Sequence, residues 1–307
     1  MNLVCVDIGG TKVAASIVSV FNQPQLQGEL SCLATPATEG REAVLRAITT
    51  AIDRLLPPNQ AVTGISIASA GVIDRASGKV TAATDLLCGW AGTPLGELIS
   101  KRYKLPVTVM NDVHAHAVGE FRIGAGKGAK HGLQIAVGTG IGGALICDEK
   151  IQSGASGISG HIGHVSHPLA EKMLCSCGKT GHIEAVCSGS GLPRLHSKLF
   201  PDFPLSSGRE VAAAALAGDR RARQTLVTAG TALGNSIGNI ANVVDPEVIV
   251  ISGSVARAGE AWWNAVRHGY QQTCLPALEN VEIVVGSLGS AAPLIGAAYN
   301  FIEDQND

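Results

Sequence analysis

Short apolar runs broken by small or polar residues punctuate the chain. Residues 3–6 (Leu-Val-Cys-Val) lead into Asp7-Ile8-Gly9-Gly10-Thr11-Lys12, and a second apolar run fills 13–20. Two β-rich runs joined by a glycine turn predict a hairpin. The pattern returns at 133–137, followed by Gly138-Thr139-Gly140-Ile141-Gly142-Gly143 and then Ala144-Leu145-Ile146. Strand, Gly/Thr turn and strand, repeated about one domain apart, predict two halves of similar build facing each other. A third apolar run at 248–251 (Val-Ile-Val-Ile) passes into Ser252-Gly253-Ser254-Val255, a buried strand entering a small-residue turn.

Helical spacing appears elsewhere. Val44, Leu45, Ile48, Ile52 and Leu55 fall on one face, with Pro57-Pro58 as the stop. Residues 62–67 predict a parallel strand before the turn Ser69-Ala70-Gly71. Another strand at 107–110 gives way at Asn111-Asp112 to a helix over 113–121. A long helix over about 226–244 stops at Asp245-Pro246, and 286–300 predicts a loop and a closing helix. The expected division is a first α/β lobe at 1–116, a larger α/β lobe at 117–289, and a C-terminal helix at about 290–307 returning to the first. Gly124, Gly126 and Gly128 follow no strand and predict a solvated loop, and no Walker A sequence occurs.

At 307 residues the chain exceeds a usual single domain. Hydrophobic residues make up 46% and aromatic ones 4%, with 38 glycines, which fits α/β architecture with many tight turns. A net charge of -2 offers no basic stripe for nucleic acid. Asp7 interrupts the apolar start, so it reads as a strand and not a signal peptide. No uninterrupted apolar run is long enough to span a bilayer, and no membrane partner is expected. Eight cysteines without a secretion signal predict reduced thiols in the cytoplasm, some of them in a metal clip.

The turns carry the candidate chemistry. Adjacent glycines let backbone N–H groups approach a phosphate, Thr11 and Lys12 add a hydroxyl and a positive charge, and Asp7 suits magnesium. A hairpin in which Asp7 only caps the turn is the other reading of the same residues. Asp112, at a strand end, is placed as a general base or as a plain helix N-cap. Cys175, Cys177, His182 and the upstream His164 provide donors suited to tetrahedral zinc, or form an unmetallated Cys/His loop.

Together DIGGTK, Asn111-Asp112, GTGIGG, GHIGH at 160–164 and CSCGKTGHIE at 175–184 resemble the sugar kinase and actin-like ATPase superfamily, and within it the ROK family. The resemblance runs from Asp7 to about Gly296. It implies a two-lobed actin-like (ribonuclease H-like) α/β fold with the active site in the cleft between lobes, ATP and Mg2+ as cofactors, a structural Zn2+, and a homodimer.

By this resemblance Asp112 is the catalytic base. Asp7, Gly9, Gly10, Thr11, Lys12, Gly138, Thr139 and Gly253 bind nucleotide. Gly71, Asn111, Asp112, Gly140, His161, His164 and Glu184 bind sugar. His164, Cys175, Cys177 and His182 hold zinc. Two departures from the family pattern stand out. His182 occupies a usual cysteine position, for which His167 or Cys187 are substitutes. His161 replaces the glutamate of GExGH, giving the GHIGH string of bacterial N-acetylmannosamine kinases, although a histidine packed in a loop is the other reading. Asp85 lies where relatives often place a sugar-binding Asn, and its role is left open. The implied reaction is ATP-dependent phosphorylation of N-acetylmannosamine at O6 in sialic acid catabolism, with a glucose or N-acetylglucosamine kinase as the alternative. A non-catalytic ROK sensor or repressor is the reading from another class; such repressors carry a helix-turn-helix before the phosphate-binding strand, where this chain starts at the strand itself.

Overall fold

The computed structural model describes residues 1–56 and 62–305, so the Pro57-Pro58 helix stop lies outside the described residues. The chain divides into two compact units. One comprises 1–128, 153–159 and 287–307; the other comprises 129–152 and 160–286. A boundary after His116 would cut a helix, and the first stretch instead continues to Gly128.

The first unit opens with β1 (Asn2–Ile8), β2 (Lys12–Val20) and β3 (Pro24–Ala34), then α1 (Arg41–Asp53) and β4 (Gly64–Ser69). The small hairpin β5 (Val72–Asp74) and β6 (Lys79–Ala82) follows, then α2 (Leu95–Tyr103), β7 (Val107–Asn111) and α3 (Asp112–Ile123). Its sheet runs β3-β2-β1-β4-β7. The first pairings are antiparallel, whereas β1–β4 and β4–β7 are parallel. Both faces of the parallel strands are covered, so β4 is buried along its whole length. Val4, Val6, Ile8, Ile48, Ile52, Ile65 and Ile67 share a core with Trp90.

The second unit contains β8 (Gly132–Val137), β9 (Ile141–Cys147), β10 (Lys150–Gln152), α4 (Glu184–Cys187), α5 (Gly191–Leu199), α6 (Gly208–Leu216) and α7 (Arg220–Val244). It ends with β11 (Val248–Ser252), α8 (Glu260–Thr273) and β12 (Glu282–Val285). Its sheet, β10-β9-β8-β11-β12, has the same sequence of antiparallel and parallel pairings as the first. The repeat seen in the turns therefore extends to a whole sheet. The long helix starts earlier than the apolar spacing predicts because Asp219 caps it, accepting from Arg221 N and Ala222 N. The closing helix α9 (Ala292–Asp304) belongs to the first unit, where Ala292 and Gly296 pack against Gly119 and Ala115.

The loop at 124–128 is only partly solvated. Gly126 is buried, and a Cβ there would lie 2.8 Å from the Phe121 ring. The backbone turns back because Gly126 N donates to the Glu120 carbonyl and Ala125 N to the Glu120 carboxylate.

Candidate functional site

In the first unit, β1 and β2 form the predicted hairpin, with Ile8 opposite Val13. Gly9 N–H closes the turn onto the Lys12 carbonyl (3.0 Å), so this N–H is already engaged. Thr35, just after β3, fastens the turn from outside: its hydroxyl donates to the Gly9 carbonyl (2.8 Å) and its N–H to the Thr11 carbonyl (3.1 Å). No sequence signal marks Thr35, because the contact is long-range. A Cβ at Gly10 would meet nothing nearer than Leu86 Cβ at 4.0 Å, leaving open space before the turn. Among the described residues no hydrogen bond ties Asp7 into this turn, which disfavours the cap reading. Burial and then the nearby Asp112 charge push the Asp7 carboxyl up to about 7, against the opposing pull of Lys12.

At the end of β7 the helix cap is Asn111, not Asp112. Its Oδ1 accepts from Val113 N and His114 N, both at 3.0 Å, with extended backbone angles typical of that position. Its Nδ2 donates to the Gly71 carbonyl (2.9 Å) and to Asp112 Oδ1 (3.0 Å). The amide is thereby fully used, so direct sugar contact would require it to give up a partner. Gly71 needs its positive φ of 106°, since a Cβ would fall 2.7 Å from the Ala82 carbonyl. Trp90 supports the strand end before it: its indole N–H donates to the Ser69 hydroxyl (3.1 Å). Asp112 starts α3, and backbone donors there favour its charged form. Burial outweighs them and lifts its carboxyl to about 6. Asp85 is exposed, beside the Leu86 that faces Gly10. His114 Nε2 lies 3.2 Å from the Ser159 carbonyl, fixing the segment that precedes Gly160-His161.

In the second unit, the turn after β8 is closed by Gly138 N–H on the Gly140 carbonyl (2.9 Å), and the Gly138 and Thr139 carbonyls accept from Gly189 N and Ser190 N. Gly253 follows β11 with φ 101°, and a Cβ there would sit 2.3 Å from the Val137 carbonyl. Only glycine lets the end of β11 pass so close to the end of β8.

Residues 174–180 form a tight knuckle. Leu174 pairs with Thr180, Cys175 N donates to the Lys179 carbonyl, and Gly178 takes φ 85°. This presents both thiols to the imidazoles. Cys175 Sγ is 3.5 Å from His164 Nδ1, Cys177 Sγ is 3.2 Å from His182 Nδ1, and the four ligand atoms lie within 4.8 Å of one another. Tetrahedral zinc, with sulfur at about 2.3 Å and nitrogen at about 2.0 Å, places S and N about 3.5 Å apart, so the donor set fits. Neither substitute joins the four: Cys187 donates to the Ala229 carbonyl, and His167 Nδ1 accepts from Leu169 N. Burial, followed in effect by the adjacent Glu184 charge, raises the Cys175 thiol to about 11, against the backbone N–H of Cys177.

Glu184 is buried and joins this knuckle to the turn after β8. Its Oε2 accepts from Ile141 N (2.9 Å), and its Oε1 from the Ser176 hydroxyl and Cys175 Sγ. Ser176 is a site residue outside the sequence-predicted set, and its place between the two cysteines is the signal that marks it. His161 and His164 have ring centroids 6.4 Å apart and nearly parallel planes.

The first unit therefore gathers Asp7, Lys12, Gly71, Asn111 and Asp112, and the second gathers the 138–140 turn, Gly253, the Cys/His cluster and Glu184. Solved structures with this architecture include a ROK family glucokinase from Streptomyces griseus in complex with glucose and AMPPNP, at TM-score 0.84 and 28% identity, covering 98% of this chain and 99% of that one. The α/β fold is thus of the actin-like ATPase type found in ROK kinases. A glucokinase of Halalkalibacterium halodurans is 30% identical over 318 residues, covering 98% of this chain and 95% of the relative. An N-acetylmannosamine kinase of Haemophilus influenzae is 31% identical over 303 residues, covering 97% and 95%. With the profile of the ROK family matching residues 3–304, the whole described arrangement of sheets, turns and Cys/His knuckle falls inside the match, and the chain belongs to the ROK family.

Proposed function

We propose that the chain is an ATP-dependent sugar kinase that phosphorylates N-acetylmannosamine at O6, a step in sialic acid breakdown. Kinase relatives matched over nearly the full chain support the reaction class. The specificity reading rests on His161. An imidazole where glutamate is usual removes a strong acceptor and alters the space near the C2 substituent of the sugar.

In this reading Asp112 orients the acceptor hydroxyl and takes its proton, while Asn111 holds Asp112 in place. Gly10, Thr11, Lys12, Gly138, Thr139 and Gly253 align the nucleotide, where positioning and charge neutralisation supply most of the acceleration. Magnesium held at Asp7, a hard carboxylate oxygen donor beside the glycine turn, would neutralise phosphate charge. His164, Cys175, Cys177 and His182 would hold a structural zinc, with four protein ligands and no open position. His161, His164, Gly71, Gly140 and Glu184 serve the sugar, and the chain works as a cytoplasmic homodimer.

A coupled ADP assay over glucose, N-acetylglucosamine, mannose and N-acetylmannosamine tests this. The expected result is the highest kcat/KM for N-acetylmannosamine. The glucokinase relatives make glucose the competing substrate; a much higher kcat/KM for glucose would overturn the specificity while leaving the reaction class intact.

A further inference from the structure

On α3, Asp112, His116 and Glu120 succeed one another at four-residue spacing and share one face. Glu120 has no exposed surface. Its Oε2 accepts from Ala125 N (2.9 Å), Ser287 N (3.0 Å) and the Ser287 hydroxyl (3.2 Å). Its Oε1 accepts from Leu288 N (2.9 Å), and His116 Nε2 lies 3.9 Å from it. That gap is about 1 Å too long for a hydrogen bond. The imidazole nitrogen is itself buried and, among the described residues, has no hydrogen-bond partner. Two polar atoms that need each other are thus held just apart.

The place of this pair gives the gap meaning. Ala125 lies shortly before Gly128, where the first stretch of the unit ends, and Ser287 is where the chain returns to it. One carboxylate therefore gathers the backbone at both passages. Burial drives His116 down to about 4; Glu120 pulls it upward and Lys12 pushes it down. From α9, Ala292 and Gly296 pack beside this face at Gly119 and Ala115, while Tyr299 and Glu303 engage Arg122. The charges acting on His116 are thus Lys12, on the glycine turn, and Glu120.

We propose that His116 is a positioning residue for phosphoryl transfer: when an anionic phosphate meets Lys12, His116 takes a proton from solvent and closes onto Glu120, tightening its hold on residues 125 and 287–288. This rests on reading residues 9–12 as the phosphate turn. Neutral imidazole becomes imidazolium, the proton comes from water or buffer, and the product is a charge-assisted hydrogen bond. Proton uptake linked to binding makes nucleotide affinity rise as pH falls toward the range where free His116 titrates.

The test is calorimetric titration with Mg-AMPPNP at about pH 6, in buffers of different ionisation enthalpy, on the wild type, His116→Gln and Glu120→Gln. Carboxylates near bound magnesium release protons in all three proteins, so the difference between them is the readout. The wild type is expected to take up more protons per nucleotide than either variant, and its affinity relative to His116→Gln to improve from pH 8 to pH 6. Because the amide of Glu120→Gln would turn an NH2 toward backbone N–H donors, that variant counts only if its melting temperature matches the wild type's, and His116→Asn carries the test if His116→Gln does not fold. Equal proton counts and parallel pH dependence would overturn the proposal and leave the phosphate turn standing. A wild-type chain that binds no AMPPNP would overturn the phosphate turn, and this proposal with it.

Discussion

Asp112 and Asp7 illustrate how burial sets chemistry at single residues. Each carboxyl is lifted, to about 6 and about 7, because desolvation disfavours the charged form and, at Asp7, because Asp112 repels it. An acid whose folded pKa is raised binds more protons folded than unfolded. Its stabilising contribution is therefore present at low pH and lost as pH rises from about 4 through about 7. Activity runs the other way, since a base must be ionised. For a base at Asp112, kcat/KM is expected to climb with pH through the 6–7 range and then level off, as macroscopic values of the pair. A profile flat down to pH 5 would exclude Asp112 as the base. Asp112→Asn removes the buried charge and keeps the shape, so its melting temperature at pH 8 should equal or exceed the wild type's. Phosphoryl transfer should fall by on the order of a hundredfold or more. A variant of normal stability and near-normal turnover would end the assignment.

Among the elements, the turns divide into those that glycine makes possible and those that it leaves open. Gly253→Ala puts a Cβ 2.3 Å from the Val137 carbonyl at φ 101°, and should cost about 2 kcal/mol or more of stability. Gly10→Ala meets only Leu86 at 4.0 Å; it should melt within about 0.5 kcal/mol of the wild type but raise KM for ATP. Thermal melts and nucleotide kinetics on both variants separate the two classes. A Gly10→Ala protein with unchanged KM would remove that turn from the nucleotide site. Strands β1, β2, β8 and β11 were legible in the sequence because their apolar runs are bounded by glycine, and α1, α3 and α7 because their spacing is helical. The Cys/His cluster was legible from ligand types in one short segment. Thr35, Ser69 with Trp90, and the donors on Glu120 were not, because each acts through contacts made only after distant segments meet. Glu120 had a local trace: an acidic side chain on the apolar face of α3, among Ala117, Val118 and Phe121. Asn111 as the cap, with Asp112 one residue inside the helix, turned on backbone angles that side-chain identity leaves open.

At the scale of the molecule, duplication gives each unit its own sheet and its own core. Val4, Ile48, Ile65 and Trp90 belong to one core, and Leu133, Ile183, Leu226, Ile249 and Trp262 to the other. The Cys/His knuckle lies wholly in the second unit, and Ile183, next to His182, is part of that core. Structural metal binding adds directly to folding free energy, so zinc removal should weaken the second unit selectively. Tryptophan placement allows this to be read out, since Trp90 reports on the first unit while Trp262 and Trp263, in α8, report on the second. Purified protein is expected to contain zinc, and His182→Ala to lose it, whereas His182→Cys should retain it because thiolate is an equally good ligand. After chelation, emission from a Trp90→Phe protein should melt at a lower temperature. Emission from a protein with both α8 tryptophans replaced by phenylalanine should move less. Matching shifts in the two proteins would mean that the units unfold as one cooperative block, and an unchanged melt after complete zinc removal would mean that the knuckle holds its shape without metal.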